Sequence, residues 1–194
     1  MGFRHYSRIE PYTGEVVSGD GFVVLENNSD LLVTIIDVLG HGEKAAKLAR
    51  EMEIFIKDNF SFDILWLMSE LHLQFIERQG AAVTMVYFCR KTMTIKGLGV
   101  GNTLVRKCGE PWQSFHAQPG IVGELLPHLR CFTSPFKSGD VFLFTTDGIK
   151  ENINSEECLS VQYQSLQIFT HYLFDNFSKQ YDDSTVIVVR YDDE

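Results

Sequence analysis

Apolar and polar residues alternate or run apolar over 2–9, 20–26 and 31–38, in the manner of strands, with Pro11, Gly14 and Asn27-Asn28 between them. These segments predict an opening β-meander. From His41 the period changes. Ala45, Leu48, Ala49, Met52, Phe55 and Ile56 recur at three- and four-residue spacing, which predicts an amphipathic helix. After a break at 59–61, Ile64, Leu67, Met68, Leu71, Phe75 and Ile76 repeat the pattern, with Ser61 placed to cap a second helix that ends before Gly80. Short strand candidates follow at 81–89, 93–98, 103–107, 112–116 and 129–134, divided by Gly, Pro and polar turns. The most apolar strand of the C-terminal half spans 141–146. A helix is predicted over 156–177, with Leu159, Tyr163, Leu166, Phe169 and Leu173 on one face, and 184–190 closes as a strand. Many short consecutive strands around few helices fit an α+β sandwich better than a parallel βαβ array.

Composition narrows the function classes. The 194 residues, 44% of them apolar, suit one compact domain over 1–194. Asp and Glu outnumber Lys and Arg by 26 to 17, a net charge of −9 with no basic run, which argues against nucleic acid as a partner. No apolar stretch approaches the roughly 20 residues that span a bilayer, and the first ten residues hold no hydrophobic signal region. No membrane partner is expected, and the expected location is cytoplasmic. Cys89, Cys108, Cys131 and Cys158 are widely separated and form no CxxC pair, so they read as reduced, mostly structural thiols.

Candidate chemistry lies in four aspartates, Asp20, Asp37, Asp147 and Asp182, in the contexts SGD, DVLGHG, TTDG and YDDST. Taken singly, each has a plainer explanation. Asp-Gly and Gly-Asp are turn chemistry, Gly40 and Gly42 after Asp37 relieve strain where a strand turns into a helix, and Asp182-Asp183 reads as an exposed acidic pair. Together they change the picture, because three of the four follow or lie within apolar β-like runs: LLVTIID, VFLFTTD and the segment before STVIVVR. Carboxylates at the ends of adjacent strands can converge on a hard divalent cation.

The series SGDGF, DVLGHG, GAAVTMVYF, GVGNTLV, PGIVG, GDVFLFTTDGIKE and DDSTVIVVR, in that order over 18–190, resembles the motifs of PP2C-type metal-dependent serine/threonine protein phosphatases. The SpoIIE-like branch is the nearer match. The lack of a sensor, receiver or membrane segment further resembles the small stand-alone RsbX-like phosphatases of stressosome and partner-switching systems. The resemblance implies a PP2C-like sandwich of two antiparallel β-sheets flanked by α-helices, with a metal site at one end between the sheets. It implies that Asp37 bridges two ions, Mn²⁺ or Mg²⁺. Asp20 and the Val38 carbonyl would serve one side and Asp147 and Asp182 the other, with Asp183 in a supporting role. Gly40 would let the backbone approach the metal while it starts the helix.

The implied reaction is attack on a phosphoserine or phosphothreonine by a hydroxide bridging the two ions, which needs no protein nucleophile. In keeping with that, none of the cysteines lies in a CxxxxxR context. Two readings stay open at His41, a polar helix-start residue or a contact to phosphate or metal-bound water. Some family members place a histidine two residues after the bridging aspartate, where this chain has Leu39, so protonation of the leaving group is open and water can supply it. Asn102 is either a turn residue or a neighbour of the site; Thr84 and Gly80 are expected in strand packing. The other histidines, His5, His72, His116, His128 and His171, show no ligand spacing. The implied substrate is a phosphorylated STAS-domain or stressosome-type protein. The alternatives are a phosphatase-like module that binds a phosphorylated partner without turnover, and a phosphatase for small phosphomonoesters.

Overall fold

The computed structural model describes residues 2–27, 30–109, 111–153, 155–156, 158 and 164–193. Among these, three helices and ten strands stand where the pattern predicts them, apart from shifts at their ends. The strands are β1 (Gly2–Glu10), β2 (Asp20–Asn27), β3 (Asp30–Val38), β4 (Ala81–Cys89), β5 (Thr94–Val100), β6 (Leu104–Cys108), β7 (Gln113–His116), β8 (Phe132–Pro135), β9 (Val141–Thr145) and β10 (Ser184–Asp192). The helices are α1 (Gly42–Asp58), α2 (Ile64–Gln74) and α3 (Leu166–Phe177). The strands form two antiparallel sheets, ordered β1-β10-β9-β6-β7 and β2-β3-β4-β5-β8. This is the α+β sandwich that the pattern implied.

Three apolar layers hold it together. Val33, Ile35, Phe88, Phe142, Phe144, Ile187 and Val189 fill the space between the sheets, where the Phe88 ring meets Phe142 at 5.0 Å. Ala45, Met52, Leu67 and Leu71 of α1 and α2 cover Ile36, Val83 and Leu98 on the outer face of the second sheet. Phe169 and Leu173 of α3 cover Leu143, Val186 and Val188 on the first. Central strands are thus buried on both faces, which is why β3, β4, β9 and β10 read as continuous apolar runs rather than alternations. Each fully buried large side chain contributes about 1.5–3 kcal/mol.

Three local expectations change. The opening meander does not form, because β1 leaves β2 and pairs along its whole length with β10, from Gly2 opposite Asp192 to Glu10 opposite Ser184. Its link, 11–19, is too long for a tight hairpin and crosses between the sheets. The cap of α2 is Asp63, which accepts from the Trp66 N–H at 3.2 Å, while Ser61 accepts from the Asp63 N–H one step upstream. Ile76 lies past the C-cap Phe75 and faces solvent. Of the helix predicted over 156–177, the span Leu166–Phe177 is a regular helix capped by Ser165, whereas Leu159 and Tyr163 lie outside the described residues. All four cysteines are free thiols, and Cys108 and Cys158 are buried. Among the described residues no helix is long and apolar enough to cross a membrane.

Candidate active site

Antiparallel pairing brings the aspartates to one end of the sandwich. In the second sheet β2 begins where β3 ends, so Asp20 sits directly opposite Asp37. In the first sheet β9 ends where β10 begins, with Thr145 opposite Val186, so Asp147 and Asp182 leave the same end. Asp37, Val38, Asp147 and Asp182 line one cleft of about 240 Å³, together with Gly40, His41 and Asn102. Tyr12 and Tyr181 form part of its wall.

Asp20 lies behind this cleft and is buried. Its Oδ2 accepts from the hydroxyls of Thr146 and Thr185, both at 2.8 Å, and the Thr185 N–H in turn donates to Thr146 Oγ1 at 2.9 Å. Its Oδ1 has no hydrogen-bond partner. Asp183 belongs to the scaffold: it is buried, and its carboxylate accepts from the Tyr12 N–H at 2.8 Å and the Gly19 N–H at 2.9 Å. Fixing Asp183 this way leaves its neighbour Asp182 on the cleft wall. Asn102 donates to Asp147 Oδ2 at 2.7 Å, which places it at the site rather than in a remote turn. Thr84 pairs with Thr103 at 2.6 Å, and the Gly80 carbonyl accepts from the Leu39 N–H at 2.9 Å, so both act in strand packing.

His41 is the N-cap of α1, yet its side chain makes no cap bond. Its Nδ1 meets Glu15 Oε1 at 2.8 Å and its ring stacks on Tyr12 at 4.7 Å. The imidazole is therefore held at the mouth of the cleft by two residues from the 11–19 link. Glu15, Tyr12, Thr146 and Thr185 were not legible as site residues. Only the two threonines carried a signal, since each lies within three residues of a site aspartate at a strand end.

The electrostatics follow from this crowding. Burial pushes the Asp20 carboxyl up to about 7 against the two threonine bonds, and the charges of Asp183 and Asp147 add to the rise. Burial likewise lifts Asp37 well above the ordinary carboxylate range, with Asp20, Asp147, Asp182 and Asp183 all pushing the same way. Asp147 is raised by burial and then by Asp182, with Lys179 opposing. Among the described residues no three carboxylate, histidine or cysteine groups stand close enough to hold an ion as they are. The donor set nevertheless fits a hard divalent cation. It offers only oxygen ligands, one of them the bare Oδ1 of Asp20, and its mutual repulsion is the kind that a bound cation relieves.

No family model matches this sequence, and no curated protein matches it. Solved structures match over nearly the whole chain. One, from work on the bacterial stressosome as a modular system adapted to control secondary-messenger signalling, superposes with a TM-score of 0.91 at 22% identity, covering 98% of this chain and 100% of that one. Another is RsbX in complex with magnesium, at a TM-score of 0.84 and 18% identity, covering 97% of this chain and 94% of that one. The PP2C phosphatase domain of SpoIIE from Bacillus subtilis, with a fragment of its regulatory domain, gives 0.75 and 19%, covering 98% of this chain and 64% of that one. The chain has the PP2C fold. Within a PP2C sandwich, the cleft of Asp37, Asp147 and Asp182 is open at one end between the two sheets, where the sequence resemblance implied a metal site.

Proposed function

We propose that this chain is a metal-dependent phosphoserine/phosphothreonine protein phosphatase of the SpoIIE-like branch, RsbX-like in kind. Its substrate would be a phosphorylated STAS-domain or stressosome-type regulatory protein in the cytoplasm. The observation that carries this reading is the convergence of four aspartates, two from each sheet, at one end of a PP2C fold. Asp37, Asp147, Asp182 and the Val38 carbonyl would hold two divalent ions, Mn²⁺ or Mg²⁺, with Asp20 behind them. Such ions supply an activated water and offset charge on the phosphoryl oxygens.

The chain's own residues orient that machinery. Asn102 fixes one oxygen of Asp147. Thr146 and Thr185 lock Oδ2 of Asp20, so its bare Oδ1 is the atom offered. Asp183 ties the 11–19 link to the start of β10. Glu15 accepts from Nδ1 of His41 and so holds the ring at the cleft mouth.

The test is release of phosphate from a phosphoserine-bearing STAS-domain protein by metal-stripped enzyme, with and without added Mn²⁺, beside Asp37→Asn. Metal-dependent release that falls at least about 10²-fold in the variant is expected, since a bound ion supplies several kcal/mol of transition-state stabilisation. Binding of the phosphoprotein without turnover under any divalent metal would replace this reading with that of a phosphate-recognition module. Turnover of a small aryl phosphate alone would shift the substrate class to small phosphomonoesters.

A further inference from the structure

A second hollow, of about 220 Å³, adjoins the acidic cleft and is lined by Leu39, Ala82, Gly101, Asn102, Gly120 and Ile121. It shares Leu39, Ala82 and Asn102 with the cleft, so these three residues face both hollows. Resting on the phosphatase reading, we propose that this hollow is the subsite for an aliphatic side chain that flanks the phosphorylated residue of a protein substrate.

The lining sets the chemistry of the occupant. Five of its six residues are apolar or glycine. Asn102 is the one polar side chain, and its amide nitrogen is already donating to Asp147. A charged side chain entering here would lose water and find only the one amide of Asn102 to bond, with no opposite charge, which is costly, whereas an aliphatic one gains burial. Room is sufficient, since a cavity of about 150 Å³ already holds a benzene-sized group. The space exists because the floor is small: Gly101 lies at φ +109°, and a Cβ there would fall 2.2 Å from that of Ala82.

The hollow is also built in advance. The Gly101 N–H donates to the Gln118 carbonyl and the Gln118 N–H to the Gly99 carbonyl, both at 2.8 Å. Ile121 and Leu125 exchange backbone bonds at 2.8 Å, and Val122 pairs with Ala81 at 2.9 and 3.1 Å. Leu39 is 44% exposed on the ridge between the two hollows, although its N–H is bound to the Gly80 carbonyl. A large apolar side chain exposed at that point, on a backbone already fixed by the Gly80 carbonyl, has a surface to offer. Successive residues of an extended chain advance about 3.3–3.6 Å. Because alternate side chains of an extended chain share a face, a peptide whose phosphorylated side chain reaches into the cleft carries the side chain two residues away toward the hollow.

The experiment compares phosphoserine peptides that differ only in the residue two before or two after the phosphoserine, leucine against aspartate, with the full chain in Mn²⁺. The wild-type protein is expected to favour leucine on at least one side by about tenfold in kcat/KM, the scale of apolar side-chain discrimination. Ile121→Asn and the milder Ile121→Thr, each normalised to its own rate on a small aryl phosphate, are expected to lose that preference in graded order. Equal wild-type rates on leucine and aspartate peptides, or a preference that survives in Ile121→Asn, would overturn the subsite while leaving the phosphatase intact. Failure of the wild type on the aryl phosphate and on every peptide would instead overturn the phosphatase reading, and the subsite with it.

Discussion

Asp20 illustrates how one carboxylate is prepared by its neighbours. Two threonine hydroxyls grip Oδ2, nothing meets Oδ1, and burial with the nearby aspartates lifts the group to about 7. Thr185→Val removes one of the two donors while keeping the shape of the side chain. It is expected to destabilise the protein by about 1–3 kcal/mol, the cost of stripping a bond from a buried polar group, read as a lower urea midpoint. An unchanged midpoint would mean that Thr146 suffices alone. Asp37→Asn should separate function from stability. Asp37 is raised by burial and by four like charges, so a neutral amide relieves repulsion in the metal-free protein. Its urea midpoint in chelator is expected to equal or exceed that of wild type even as turnover falls, as functional sites trade stability for activity.

At the scale of elements, the site depends on two turns lying against each other. A Cβ on Gly148 would fall 2.0 Å from the Asp183 carbonyl oxygen, a backbone atom that cannot swing aside. Ser184 closes the same contact by donating to the Gly148 carbonyl at 3.1 Å. Gly148→Ala therefore has to push the turn after β9 away from the start of β10, and Asp147 away from Asp182. We expect kcat/KM on phosphoprotein to fall on the order of 10²-fold, the penalty of a displacement of about 1 Å in a catalytic constellation. Circular dichroism and chemical denaturation should show the sandwich still formed. A variant of full activity would mean that the turn relaxes without moving the carboxylates.

Across the whole molecule, the crowded carboxylates link folding to pH and, on the proposed phosphatase reading, to metal. A carboxyl raised from 3.8 to about 7 keeps its proton in the folded state where the unfolded chain has released it. That contribution to stability is fully present below about pH 3.8 and is lost as pH rises through 7. In chelator, the stability of wild type relative to Asp20→Asn is thus expected to decline between about pH 4 and pH 7, read as the difference in Tm. Adding Mn²⁺ at pH 8 should reverse the decline, because a ligand of the folded state at 100 times its Kd contributes about 2.7 kcal/mol. A Tm difference that stays flat with pH would show that Asp20 is not held in this raised state.

Most strand and helix positions were legible because periodicity is a property of neighbours along the chain, and Gly and Pro mark the breaks. The runs LLVTIID and VFLFTTD needed only their burial on two faces to read as central strands. Asp37, Asp147 and Asp182 stood out for the same local reason, each at the edge of such a run. Where two local signals competed, the reading slipped: Ser61 and Asp63 are both good caps, and side-chain geometry chose Asp63. Pairing partners left no local trace. Whether β1 joins β2 or β10, whether Asp183 faces the cleft or anchors the Tyr12 and Gly19 amides, and whether His41 rests on Glu15 all depend on residues far apart in the chain. Hydrophobic period and turn chemistry are settled within a few residues, so the sequence alone determined the elements and the kind of ligand atoms. Convergence and charge crowding arise only when distant strands pack, so the tertiary structure decided which oxygens share the site and which merely hold it in place.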